Sequence, residues 1–287
     1  MKTTPQKRMN TNPTPGKLYV VATPIGNLQD ITLRALETLK TVDLIAAEDT
    51  RHTRKLLTAY NISKPLISYH EHNEQQSTEI IIAKLLNGNN VALVSDSGTP
   101  CVSDPGILLV NNAHCHNIDT EVVPGPSAVM AAISCAGINV AGFIFQGFLS
   151  SKKTNRTKEW VTLSENPRPI VFFESPHRLL RFLDEWSRYA PERHGVVCKE
   201  LTKIHETIIR GSVEEIKRQM CKRTVKGEFV IILEAKNDEI LLDWAKIDRM
   251  ISRTLKTSKS RRDAALLVAD QTGIPFRKIY KRILDRE

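Results

Sequence analysis

Val91-Ala92-Leu93-Val94-Ser95-Asp96-Ser97-Gly98-Thr99-Pro100-Cys101-Val102-Ser103-Asp104-Pro105-Gly106 carries the signal that decides the architecture. Its four opening apolar residues predict a strand buried on both faces, as in a parallel sheet. The strand empties into a loop of glycines, prolines, hydroxyls and two aspartates, and a helix is expected from Pro105 with Asp104 as its N-cap. In an open α/β sheet, ligands bind outside the carboxyl ends of the strands, where this loop offers amides, hydroxyls and carboxylates. Asp96, directly after the strand, is the better candidate for ligand contact.

The same unit recurs in both directions. Upstream come the strand Leu18–Ala22 and a helix opened by Asp30, then Leu44–Ala47 and a helix from Thr50, then Leu66–Ser68 and a helix over Glu74–Leu86. Downstream, Glu121–Val123 runs into Pro124-Gly125-Pro126-Ser127-Ala128, where Ser127 caps the next helix or faces a ligand. The first strand ends in Thr23-Pro24-Ile25-Gly26, in which Gly26 allows a tight turn or a close approach. This turn has neither the G-x-G-x-x-G nor the G-x-x-x-x-G-K-[ST] spacing of nucleotide loops.

After Ala141–Leu149, a second set begins with a helix from Lys152 and the strand Ile170–Phe173. It continues through the helix Pro176–Tyr189, the strands Gly195–Glu200 and Glu206–Arg210, the helix Val213–Met220 and the strand Glu228–Glu234. Strand pairs joined by short links predict a mixed sheet. Beyond Asn237 the pattern is helical, with Gly273-Ile274-Pro275 linking the last two helices in a helix-turn-helix-like arrangement. The expected organisation is a flexible leader (1–16), an α/β domain (17–140), a second α/β domain (141–236) and a basic helical domain (237–287).

The 287 residues are 41% apolar and 25% charged, which excludes wholesale disorder and fibrous repeats. No apolar run approaches the roughly 20 residues that span a bilayer, and a soluble, cytoplasmic protein is expected. The five cysteines are scattered and odd in number, which argues against a disulfide framework. His70, His72, His114 and His116 stand at i,i+2 spacing, unlike the helical i,i+4 zinc pattern, and no metal is expected. The net charge of +9 is uneven: Leu18–Ser150 has twelve acids against seven bases, whereas Ser151–Lys236 has eighteen bases against twelve acids and Leu241–Glu287 twelve against six. Such polarity suits a polyanion touching one side of the molecule.

Seven strings carry a resemblance: Ala22–Thr32, Ala47–Thr53 (AEDTRHT), Ser95–Gly106, Val123–Ala128 (VPGPSA), Phe172–Arg178 (FFESPHR), Lys199–Glu206 (KELTKIHE) and Lys226–Val230 (KGEFV). In this order they closely resemble the ribosomal RNA small subunit methyltransferase I family, a branch of the tetrapyrrole methylases. The resemblance implies two α/β domains of tetrapyrrole-methylase type with a cofactor cleft between them, plus a small C-terminal helical domain. It implies S-adenosylmethionine as cofactor, 2′-O-methylation of a cytidine ribose at the P site of 16S rRNA in the small ribosomal subunit, and a homodimer. Carried onto this sequence, it places the cofactor near Pro24, Ile25, Gly26, Asp96, Ser97, Gly98, Thr99, Ser127 and Ala128.

A base for the ribose hydroxyl is sought among residues at strand ends: Glu48, Asp49, Glu174, His177, Lys199, Glu200, Lys203, His205 and Glu206, with His177, Lys203 and Glu174 foremost. Ion pairing of Glu174 with Arg178 and of Asp49 with Arg51 is the structural alternative. Phosphate contacts are expected from Arg51, Arg54, Lys55, Lys152, Lys153, Arg156, Arg261, Arg262 and Lys278. Two rivals stand beside this reading: a porphyrinoid methyltransferase on the same fold, and a non-catalytic RNA-binding assembly protein.

Overall fold

The computed structural model describes residues 14–139, 142–221, 225–236, 244–258, 260–272 and 274–285. Most of the expected leader, the 140/141 boundary, the start of the helical domain and Gly273 lie outside the described residues. The chain divides into two compact units, one ending at Lys236 and one beginning at Asn237.

The first unit contains two five-stranded sheets. One is built from β1 (Leu18–Val21), β2 (Leu44–Ala47), β3 (Leu66–Ser68), β4 (Val91–Val94) and β5 (Thr120–Val123). Its strands are all parallel, in the order β3-β2-β4-β1-β5. Helices α1 (Leu33–Thr41), α2 (Thr50–Ala59), α3 (Glu74–Leu86), α4 (Ile107–Cys115) and α5 (Ala128–Ala136) follow the strands in turn. β2 and β4 are buried along their whole length, as their unbroken apolar sequences predict. Because β1 connects outward past β4 while β4 connects outward past β1, the connections diverge between these neighbours. That is the switch point where an open sheet leaves a crevice.

Two helix starts differ from expectation. Asp30 closes a short 3-10 turn, Leu28–Asp30, while Thr32 caps α1 by accepting from the Ala35 amide at 3.1 Å. Asp104 does not cap α4; Gly106 occupies that position with φ +136°. A Cβ there would lie 2.7 Å from Cys101 Sγ and 2.8 Å from Leu93 Cδ2, so room in the core rather than capping chemistry sets the start.

The second sheet has the order β6-β7-β10-β8-β9, from β6 (Ile144–Gly147), β7 (Ile170–Glu174), β8 (Gly195–Lys199), β9 (Thr207–Gly211) and β10 (Phe229–Leu233). It is mixed: β6 and β7 are parallel and the other pairings antiparallel. The register pairs Phe229 with Glu174 on one side and Lys199 on the other, and Lys199 with Thr207. One edge of the sheet therefore gathers the loops around 175, 200–206 and 225–228. Helices α6 (Lys153–Ser164), α7 (Pro176–Tyr189) and α8 (Val213–Met220) pack on one face through Trp160, Phe172, Phe182 and Trp186. The opposite face, with Val171, Val196, Cys198, Val230 and Ile232, packs on Val129, Ala132 and Ala136 of α5 and on Ile25. This shared core fixes the loops of the first sheet against those of the second.

The second unit comprises α9 (Trp244–Thr257), α10 (Arg261–Thr272) and α11 (Phe276–Leu284), closed around Ile251, Ala264, Val268, Ile279 and Ile283. Among the described residues, no helix is long and apolar enough to cross a membrane, and no cluster of three or more metal-ligating side chains occurs.

Candidate active site

At the switch point the loops after β1 and β4 are bridged to one another: the Thr23 amide donates to the Gly98 carbonyl at 2.8 Å and the Gly98 amide to the Thr23 carbonyl at 3.1 Å. Gly98 holds φ +82°, a conformation that suits glycine. Around this bridge the two sheets enclose a pair of adjoining cavities. The first, about 280 Å³, is lined from the first sheet by Ile25, Ser97, Gly98, Thr99, Ser127 and Ala128. The second sheet closes it with Phe173, Glu174, Glu228, Phe229 and Val230, and Phe148 joins them. The second cavity, about 310 Å³, is bordered by Thr23–Gly26, His52, Lys55, Ser95–Ser97, Lys203 and Glu228. Its wall carries both cations, Lys55 and Lys203, with His52 and Asp96, while the first cavity carries the three aromatic rings together with Asp104 and Glu174.

The charged groups are held in distinct ways. The Glu174 carboxyl, 4% exposed, accepts from the Ser175 amide at 2.8 Å and pairs with Arg178 at 3.2 Å. Burial raises its pKa, and the amide and the two nearby arginines only moderate the effect. Lys203 Nζ lies 3.0 Å from Glu200 and 3.1 Å from Glu228. Burial opposes its charge, but hydrogen bonds to both carboxylates outweigh that and hold its pKa above the ordinary lysine value. Asp96 accepts from the Asp49 amide at 2.9 Å, and its own amide donates to Glu48 at 3.4 Å, tying the loop after β4 to the loop after β2. Asp104, in the wall of the first cavity, is pushed up to about 6 by burial and by the charges of Glu48 and Asp96.

Residues 17–217 match the family model of the Tetrapyrrole (Corrin/Porphyrin) Methylases. The chain is 44% identical over 272 residues to the ribosomal RNA small subunit methyltransferase I of Xylella fastidiosa (strain Temecula1), covering 93% of this chain and 98% of the relative. It is 42% identical to the protein of that name from Synechocystis, covering 95% and 99%. This chain belongs to the ribosomal RNA small subunit methyltransferase I family. The fold is also that of uroporphyrin-III C-methyltransferase from Thermus thermophilus, solved with S-adenosylhomocysteine, at TM-score 0.55 and 18% identity, over 76% of this chain and 97% of the other.

The nine residues expected near a cofactor all border one or other cavity. Ser127 does two things: it faces the first cavity and its hydroxyl accepts from the Met130 amide at 3.5 Å to cap α5. The three foremost base candidates separate. Glu174 borders the first cavity and Lys203 the second, where ion pairs with Glu200 and Glu228 favour the ammonium form of Lys203. His177 is exposed and borders neither cavity: Ser175 and Pro176 face the first, and the helical turn of about 100° per residue carries His177 away.

Of the expected RNA contacts, Arg54, Lys55, Lys152, Lys153, Arg261, Arg262 and Lys278 are exposed. Arg51 is exposed as well and pairs with Asp49 at 2.8 Å. Arg156 is not a surface cation. It is 3% exposed, pairs with Glu185 at 3.0 Å and donates to the Ser150 carbonyl, because it shares the buried stripe of α6 with Trp160 and Leu163. Glu228, outside the residues expected to act as base, borders both cavities, and the KGEFV string is the sequence signal that contains it.

Proposed function

We propose that this chain transfers the methyl group of S-adenosylmethionine to the 2′-oxygen of a cytidine ribose at the P site of 16S rRNA in the small ribosomal subunit. The observation that carries the reading is the pair of adjoining cavities at the switch point, which share Ile25, Ser97 and Glu228 in their walls, in a chain nearly full-length with the ribosomal RNA methyltransferases it matches. The donor set fits an adenosine bearing an amino acid: Phe148, Phe173, Phe229 and Ile25 offer flat and aliphatic surface to a ring system. Ser97, Thr99 and Ser127, with the backbone around Gly98, offer polar contacts to hydroxyl, amine and carboxylate. When bound, S-adenosylmethionine supplies an electrophilic methyl group on a sulfonium.

The chain's own residues then have limited tasks. The shared core of α5 and the second sheet fixes the two sets of loops, so a ribose entering the second cavity meets a preformed wall. Lys55, on the rim of that cavity, and the exposed Arg54, Lys152 and Lys153 suit phosphate oxygens, which position RNA without reading its sequence.

The test is transfer of labelled methyl from S-adenosylmethionine to unmodified small subunits, with nuclease digestion and mass mapping of the product. The expected result is a single 2′-O-methylcytidine. No label in RNA from protein that binds S-adenosylhomocysteine by calorimetry would overturn the reading in favour of a small-molecule methyltransferase or a non-catalytic RNA binder.

A further inference from the structure

Ile25, Ser97 and Glu228 border both cavities, and among these three Glu228 is the ionisable one. Its position is built rather than incidental. The Glu228 amide donates to Glu200 Oε1 at 3.0 Å, and Glu200 Oε1 also receives Lys203 Nζ at 3.0 Å. The chain reaches this contact through Gly227 at φ +96°, where any Cβ would sit 2.4 Å from the Glu200 carboxyl. The Glu228 side chain then turns back to Lys203 at 3.1 Å while remaining 70% accessible. A carboxylate is thus tethered through a lysine at the common wall of the two cavities and stays open to a ligand.

We propose that Glu228 accepts the proton of the acceptor hydroxyl during methyl transfer, with Lys203 as the positioning residue that holds the carboxylate in place. This rests on the reading of the chain as an RNA ribose methyltransferase. Of the other ionisable groups in the two walls, Glu174 is buried against the Ser175 amide and Arg178, Lys203 is ion-paired, Asp96 accepts from the Asp49 amide, and Asp104 and His52 each border one cavity, whereas Glu228 borders both. A ribose hydroxyl is far too weak an acid to yield its proton to a carboxylate beforehand, but its oxygen acidifies sharply as the new bond forms. The O–H bond therefore breaks toward Glu228 as the O–CH3 bond forms and the C–S bond breaks, the electron pair of that bond remaining on sulfur. The products are the methyl ether, a neutral thioether and a protonated Glu228, which then passes its proton to water.

The variants Glu228→Gln and Glu228→Ala test this in the full-length protein through four measurements. Affinity for S-adenosylhomocysteine by calorimetry, and for unmodified small subunits by filter binding, should stay within about threefold of wild type. Single-turnover transfer should slow on the order of 10²-fold or more. The rate of Glu228→Gln should rise about tenfold per pH unit, as hydroxide replaces the missing base, where the wild-type rate is level. Added formate should restore Glu228→Ala in proportion to its concentration. A Glu228→Gln variant as fast as wild type would overturn the proposal, and so would a slow variant whose loss is matched by lost S-adenosylhomocysteine affinity. A pH profile parallel to wild type without formate rescue would also overturn it. Wild-type protein that labels small subunits while Glu228→Gln labels them equally would sink this assignment alone. Wild-type protein that labels no RNA would sink the substrate reading and this proposal with it.

Discussion

Asp104 and Arg156 show how a residue's surroundings reverse what its type suggests. Asp104 is half-buried near Glu48 and Asp96, so burial and those charges push its carboxyl up to about 6, above the ordinary aspartate range. A raised carboxyl favours the folded state while protonated, and that contribution is fully present below about pH 4 and lost as pH rises through about 6. Asp104→Asn should therefore flatten the stability profile across this window, gaining about 1 kcal/mol over wild type at pH 7 once solvent screening is allowed for. Urea unfolding at pH 4 and pH 7 checks it, and equal pH dependence in both proteins would contradict the assignment. For Arg156 the expectation is the reverse of an RNA contact. Arg156→Ala leaves Glu185, 17% exposed in its side chain, without its ion-pair partner, and should cost about 3 kcal/mol. The folded variant should bind small subunits as tightly as wild type in the same buffer.

At the scale of elements, the turn joining β8 to β9 and the turn after β1 are locked together, although some 175 residues separate them. The Asn27 amide donates to Thr202 Oγ1 at 3.1 Å, and a Cβ on Gly26 would lie 2.4 Å from Lys203 Cγ and 3.0 Å from the Leu201 carbonyl. Gly26→Ala should push Lys203 away from Glu228 and slow methyl transfer on the order of tenfold to a hundredfold, as misplacement near a reacting centre does. Its melting temperature should move by only a few degrees, since the turn lies outside the main aromatic core. A rate equal to wild type would show that the lysine finds its partners by another route. Contacts of this range also mark where sequence reading stops. β2, β4 and β10 are legible because a short unbroken apolar run has few other uses, and the Ser212 helix start because its capping box with Glu215 is local. The cap of α4 is not legible, because Cys101 and Leu93 decide it. Arg156 is not legible either, since Glu185 lies on another helix. Glu228 is held in the site by contacts with Glu200, 28 residues away, and Lys203, 25 residues away.

For the whole molecule, the chemistry and the excess of charge reside partly in different units. Both cavities are bordered wholly by residues before Lys236, and the core joining α5 to the second sheet is complete within that unit. The helical unit has its own core and presents exposed cations at Arg261, Arg262, Arg277 and Lys278, within a stretch of twelve bases against six acids. A chain ending at Lys236 should therefore bind S-adenosylhomocysteine with the affinity of the full-length protein. Its affinity for small subunits should fall, and its salt dependence should change in a way that identifies the cause. Each phosphate neutralised by a lysine or arginine contributes a unit of slightly less than one to the slope of log K against log salt. If three or four of these side chains engage phosphate, the slope should drop by about three, with the largest loss of affinity at low salt. A lower affinity with an unchanged slope would mean that the helical unit acts through packing or shape rather than charge. Unchanged affinity and slope together would remove it from the RNA interface and leave phosphate binding to cations such as Lys55, Lys152 and Lys153.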